Sequence, residues 1–129
     1  MKLASIDVGL KRIGVAICLT SDIVTPQAAI LRKNRNQAAR DVNIFLKEWE
    51  IEKLIVGFPS ASIDMQNRIN HFVSLLELKI PYEFCEENMS SIEAEDLIKG
   101  KIKYKRDGRI DSLAAKIILE RYLTKKILS

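Results

Sequence analysis

Apolar positions along this chain fall into two rhythms, one of strands and one of helices. Lys2 to Val8 and Arg12 to Leu19 are rich in β-branched and small residues and read as strands. Gly9-Leu10-Lys11 supplies the tight connection that makes them a hairpin. A third apolar run, Ile23 to Leu31, follows the polar Thr20-Ser21-Asp22. Its Pro26 predicts an edge strand, because proline has no N–H to give to a sheet ladder. From Asn36 the period lengthens: Ala38, Val42, Phe45, Leu46 and Trp49 recur at helical spacing, with an asparagine available as N-cap. Lys53 to Phe58 is a continuous apolar run closing on Gly57-Phe58-Pro59, the pattern of an interior strand covered on both faces. Met65, Ile69, Phe72, Val73 and Leu76 predict a second helix, and Ile80 to Glu86 a further strand with Pro81 at its start.

Ser90 and Glu93 form a capping box for a helix through Lys99, which Gly100 can end in a left-handed cap. Residues 99–109, KGKIKYKRDGR, carry no apolar stripe, and Asp111 then opens a last helix with Ala114, Ile117, Ile118 and Tyr122 on its apolar face. The predicted order is βββαβαβαα. Three meandering strands followed by strand–helix alternation imply an α/β fold, a mixed sheet with helices on both faces. No repeat, linker or low-complexity stretch interrupts it, so residues 1–129 are expected to form one domain. A chain of this size buries roughly two thirds of its unfolded surface, enough for one core.

Composition narrows the class. With 47% hydrophobic and 29% charged residues the chain has the balance of a folded globular protein, which excludes a disordered one. No apolar window approaches the length of a membrane span, and the N-terminus begins on a strand pattern without a signal region, so a cytoplasmic protein is expected. Cys18 and Cys85 lack metal or redox spacing and read as free buried thiols, which fits a reducing compartment. The net charge of +4 modestly favours a polyanionic partner.

The candidate chemistry is acidic. Asp7 lies in an otherwise apolar strand just before Gly9, and an unpaired buried charge there would cost several kcal/mol. Either a cation sits beside it or the strand end opens into a cleft; a turn-stabilising aspartate is the alternative. Glu86 and Glu87 end another strand, and Asp111 stands at the start of the last helix, where a helix cap is the competing role. In open α/β sheets the carboxyl ends of strands line the ligand crevice, so acids far apart in sequence can share it. Carboxylates brought that close repel one another, and magnesium, a hard cation, neutralises such a set. Two such ions about 4 Å apart can activate a water and stabilise the leaving oxygen of a phosphodiester displacement. A fourth carboxylate could come from Asp107 or Glu86.

Four strings carry a resemblance: Asp7-Val8-Gly9-Leu10-Lys11-Arg12-Ile13-Gly14-Val15-Ala16, then Val56-Gly57-Phe58-Pro59, Glu86-Glu87 ahead of Ser90-Ser91, and Asp111-Ser112-Leu113-Ala114-Ala115. Together they span nearly the whole chain, which resembles the YqgF family of Holliday-junction-resolvase-like proteins and pre-16S ribosomal RNA nucleases. The resemblance implies a ribonuclease H-like fold, a mixed five-stranded sheet with a βββαβαβα core. It also implies Asp7, Glu87 and Asp111 as catalytic, metal-binding carboxylates for Mg2+ or Mn2+, with two ions in the substrate complex. A bacterial cytoplasmic setting follows, with trimming of the 5′ end of small-subunit ribosomal RNA and association with the pre-ribosome; branched DNA is the other substrate. Where the family usually has an arginine after the strand-end glutamate, this chain has Asn88, which removes a charged phosphate contact. The loop Ser60 to Gln66 also lacks the glycines common there.

Lys11 and Arg12 sit in the hairpin turn beside Asp7, and Lys101, Lys103, Lys105, Arg106 and Arg109 surround Tyr104 in the basic stretch leading into Asp111. Both groups are candidate nucleic-acid contacts, with solvated surface as the alternative. His71 and Trp49 fall in helical pattern away from every motif and are expected to be surface and core respectively. Two other functions compete with the nuclease. An actin- or hexokinase-like phosphotransferase would need a second domain and a second phosphate motif, and a nucleic-acid-binding adaptor would keep the fold without catalysis. Whether the protein is a monomer or a homodimer is not legible.

Overall fold

A computed structural model describes residues 1–20, 23–86 and 109–128, with the backbone alone for 109–111 and 127–128. The elements are β1 Leu3–Val8, β2 Arg12–Cys18, β3 Thr25–Leu31, α1 Arg35–Glu48, β4 Lys53–Phe58, α2 Ile63–Leu76, β5 Tyr82–Glu86 and α3 Arg109–Leu128. The helix expected over residues 90–99 lies outside the described residues.

The five strands form one sheet in the order β3-β2-β1-β4-β5. The two hairpin-linked pairs, β1–β2 and β2–β3, are antiparallel, while β1–β4 and β4–β5 are parallel. Parallel neighbours need a crossover, and α1 and α2 supply the two crossovers. The proline-bearing strand β3 lies at the sheet edge, as Pro26 predicts, and β4 lies between two neighbours with Leu54, Ile55 and Val56 fully buried.

Strand alternation sorts the core into two layers. Ala4, Ile6 and Val8 of β1 face α1 and α2, where they meet Val42, Leu46, Ile69, Phe72 and Leu76. Leu3 of β1, Ile55 of β4 and Cys85 of β5 face the other way, onto Ala115, Ile118, Leu119 and Tyr122 of α3. Each of the larger fully buried aliphatic or aromatic side chains contributes about 1.5–3 kcal/mol. The apolar face of α3 differs from the expected one, since Ala115 and Leu119 are buried and Ile117 only partly so. No second described helix shares that side of the sheet core, so a wide stripe at i, i+3, i+4, i+7 and i+8 turns inward. Trp49 is only partly buried and packs against the rim of the α1–α2 layer, where a core position was expected, and His71 is exposed, as expected.

Local capping fixes where the helices begin. Asn34 caps α1, its side chain accepting from the Gln37 N–H at 2.8 Å while Gln37 Oε1 accepts from the Asn34 N–H at 3.3 Å, a reciprocal box. Ser62 caps α2, its Oγ accepting from the Met65 N–H at 3.3 Å. This start lies before Met65, so the loop after Pro59 is Ser60 to Ser62 and not Ser60 to Gln66. Glu50 and Glu77 follow the ends of α1 and α2 in left-handed conformations, φ 52° and 47°.

Candidate active site

The direction of α3 decides what meets at the sheet edge. Ser5 of β1 is fully buried, and its Oγ donates to the Ala115 carbonyl at 2.6 Å. Farther along the helix, Lys53 Nζ at the start of β4 donates to the Tyr122 hydroxyl at 2.8 Å. Because Leu3 pairs with Lys53, the helix runs antiparallel to β1, and its first turn lies over the carboxyl end of that strand. Ser112 Oγ donates to the Gln27 carbonyl of β3, a third tie that fixes the same turn.

Asp7 is two residues beyond Ser5 on this α3-facing side and is partly exposed. It pairs with Gly14 of β2. In the neighbouring strand Ile6 pairs with Val56, and Gly57 pairs with Cys85, so Gly57 occupies the next position of the same row. Two glycines therefore flank the carboxylate and bring no side-chain volume to it. Asp111 lies one turn before Ala115, so from the Ser5–Ala115 contact the strand advances about 7 Å to Asp7 and the helix about 6 Å to Asp111. The backbones of Asp7 and Asp111 thus reach the same edge.

Asp7 stands inside the strand and not in the turn, and Asp111 has Arg109 and Ile110 ahead of it in the helix, which removes the N-cap role. Arg109 is the first residue of α3 and not part of a loop. Glu87 follows Glu86, the last residue of β5. Glu87, the Asp111 side chain, Asp107, Asn88, Lys101, Lys103, Lys105 and Arg106 lie outside what the structure describes. Among the described residues no three His, Cys, Asp or Glu side chains gather around a possible ion, a set that contains only one of the three expected carboxylates. Glu86 is not a partner for Asp7. By strand alternation it shares the α2 side with Phe84, whose ring lies 4.6 Å from that of Phe58, and its Oε1 accepts from Ser60 Oγ at 2.8 Å.

The hairpin turn beside Asp7 is built around a glycine. The Gly9 N–H donates to the Arg12 carbonyl at 3.0 Å, and a Cβ on residue 9 would stand 2.5 Å from that carbonyl oxygen. Lys11 is exposed in the turn and Arg12 partly buried at the start of β2. Sequence reasoning missed Arg32, which clamps this turn: its Nη1 donates to the Gly9 carbonyl at 2.8 Å, and its backbone N–H to that of Lys11 at 2.9 Å. The guanidinium lies 5.7 Å above the centre of the Phe72 ring. Burial, and then the charges of Arg35 and Arg68, lower its pKa. The only sequence signal was a basic residue at the end of an apolar strand. On the other face, burial raises the Cys85 thiol, so it stays protonated at neutral pH.

A mixed sheet of this order, with a strand-borne aspartate under the first turn of a C-terminal helix, defines a ribonuclease H-like α/β fold. Residues 1–125 match the model of the RuvX family, described as Holliday junction resolvase, and the chain belongs to that family, as its motifs led us to expect. A protein of Sulfurovum sp. (strain NBC37-1) called "Putative pre-16S rRNA nuclease" is 65% identical over 127 residues, covering 96% of this chain and 99% of its own. One of the same name from Sulfurimonas denitrificans is 50% identical, covering 98% and 99%. Among solved structures, the fowlpox virus Holliday junction resolvase covers 97% of this chain and 99% of its own at 18% identity and a TM-score of 0.56. In a complex with Holliday junction DNA the corresponding figures are 97%, 98%, 16% and 0.60, and both likenesses show the shared fold.

Proposed function

We propose that the protein is a metal-dependent nuclease that hydrolyses phosphodiester bonds at the carboxyl edge of β1, acting on the 5′ end of precursor 16S ribosomal RNA. The observation that carries this reading is the Ser5–Ala115 tie, which brings the turn of α3 holding Asp111 to the edge where Asp7 stands between two glycines. Near full-length identity to proteins named for pre-16S ribosomal RNA supports the choice of RNA.

Asp7, Glu87 and Asp111 are the residues that would hold Mg2+ or Mn2+, two ions in the substrate complex. Their carboxylate oxygens are the hard donors these ions prefer, and the partly exposed Asp7 leaves an open approach. Bound there, the ions supply Lewis acidity and a water of lowered pKa. The chain's own part is to orient and to grip. The serine ties hold the two acid-bearing segments in fixed register, and Lys11, Arg12 and the basic stretch Lys101, Lys103, Lys105, Arg106 and Arg109 meet phosphates on either side. No described helix is long and apolar enough to cross a membrane, which is compatible with work on pre-ribosomes in the cytoplasm.

The family description and the fowlpox likeness favour a second reading, cleavage of four-way DNA. A labelled precursor ribosomal RNA 5′ segment and a four-way DNA junction, incubated with wild type and Asp7→Asn in magnesium, in manganese and with chelator, separate the two. Metal-dependent RNA cleavage lost in the variant is the expected result, a fall of about a hundredfold or more. Preferential junction cleavage moves the substrate to DNA, equal activity in both proteins refutes the site, and binding without cleavage under any metal makes the protein an adaptor.

A further inference from the structure

Three arginines from three elements come together beside the hairpin turn. Arg32 ends the β3 region and reaches the Gly9 carbonyl; Arg35 is the first residue of α1, three positions on; Arg68 lies on α2 one turn before Phe72, the ring beneath the Arg32 guanidinium. Arg35 and Arg68 are exposed, and among the described residues no carboxylate stands within ion-pair distance of any of the three. The first turn of α1 adds to the positive field, since it contains no acidic residue and its N–H groups point out of the helix end. Burial first, and then repulsion from Arg35 and Arg68, lowers the Arg32 pKa. Asp64 lies one turn before Arg68 on α2 but makes no ion pair with it, so among the described residues the three cations lack a bound counter-charge, which an anion between them would supply.

From this arrangement we propose that Arg32, Arg35 and Arg68 form a phosphate site for the nucleic-acid backbone, on the α1–α2 side of the sheet edge and apart from the basic stretch before α3. Arg32 sets the geometry, and Arg35 and Arg68 are the free forks. Gly9, whose carbonyl Arg32 holds, is two residues from Asp7, about 7 Å along an extended chain. A strand whose scissile bond lies at Asp7 places a neighbouring phosphate here. The site reads no base, so its selectivity is for a polyphosphate chain crossing the β1–β2 turn. This inference rests on the nuclease reading and extends its substrate path.

The test uses the full chain with chelator present, so that binding is read without cleavage. Anisotropy of a labelled single-stranded RNA and of a four-way DNA junction is followed over a series of KCl concentrations. The proteins compared are wild type, the double variant Arg35→Gln/Arg68→Gln, and Lys47→Gln/Lys79→Gln, which removes the same charge from exposed residues at the opposite end of the sheet. The double arginine variant should bind about tenfold or more weakly at low salt, and its slope of log affinity against log salt should fall by about 1.4 for RNA and 1.8 for duplex arms. The lysine variant should keep most of the wild-type slope. Matching melting temperatures confirm that exposed substitutions left the fold intact. A wild-type slope in the arginine variant, or equal losses in both variants, overturns the phosphate site while leaving the nuclease reading standing. A wild type that neither binds nor cleaves overturns both.

Discussion

The two ends of the parallel strands treat charge in opposite ways. At the amino end two cations are matched: Lys2 pairs with Glu50 at 3.1 Å and Lys53 with Glu83 at 2.9 Å, and the Lys53 ammonium also lies 5.2 Å above the Tyr122 ring centre. At the carboxyl end, Arg35 and Arg68 stand exposed without a described carboxylate in reach, and Asp7 sits on an apolar strand flanked by glycines. One end ties the helix layers to the sheet through ion pairs, and at the other the two exposed arginines make no ion pair with a described carboxylate. Matched exposed pairs add little stability, typically below about 1 kcal/mol. Like charges held together oppose folding, and the phosphate proposed between Arg32, Arg35 and Arg68 would relieve that repulsion.

The strongest way to break the contrast is at the turn. Gly9→Ala pushes a methyl group into the Arg12 carbonyl, a backbone atom that cannot step aside alone, and disturbs the Arg32 clamp with it. We expect a loss of about 1–3 kcal/mol in urea unfolding and a loss of cleavage beyond what the remaining folded fraction explains. Ser5→Ala comes next. It removes the buried tie to Ala115, so stability should fall by about 1–2 kcal/mol, and the apparent metal affinity should fall as α3 loses its register against Asp7. A variant that loses stability but keeps wild-type metal affinity shows that the tie is only structural.

The smallest effect belongs to the amino end. The hydrogen bond from Lys53 holds the Glu83 carboxyl below its ordinary value, so its contribution is complete above the usual carboxylate range and is lost as pH falls through the folded value. Hydrogen bonds to Glu83 and Tyr122 raise Lys53, so its contribution is complete below the usual lysine value and is lost as pH rises through the folded one. Glu83→Gln should flatten the acid limb of the melting temperature against pH only slightly, because the Glu83 side chain is 45% exposed. It should leave cleavage at neutral pH unchanged.

The contrast between the ends also separates what could be read in the sequence from what could not. The strands were legible because their signals are local: a continuous apolar run for β4, a proline for the β3 edge, a glycine turn for the hairpin. Asp7 is conspicuous as a carboxylate in an apolar strand, and the family motif names it together with Glu87 and Asp111, whose side chains lie outside the described residues. Arg32, Arg35 and Arg68 were not legible, since they come from a strand end and two helices and no spacing relates them before the sheet order is known. The apolar pattern of α2 begins at Met65, later than the helix itself, because the first turn after the Ser62 cap carries no continuous apolar stripe. Arg109 falls ahead of the apolar pattern for the same reason, and the buried face of α3 is wider than that pattern because its neighbour is a sheet and not a second helix.

The proposed site puts a divalent ion at the carboxyl edge, beside Asp7, and not at the charged amino end. Backbone amide spectra of the labelled protein, recorded with substoichiometric Mn2+, test this directly, because the paramagnetic ion broadens only nearby signals. The account predicts that Asp7, Gly14 and Gly57 fade first, that Lys2, Lys53 and Glu83 persist, and that Asp7→Asn abolishes the pattern. Fading centred on Glu50 and Glu83, or the same fading at Asp7's neighbours in Asp7→Asn as in wild type, would contradict it.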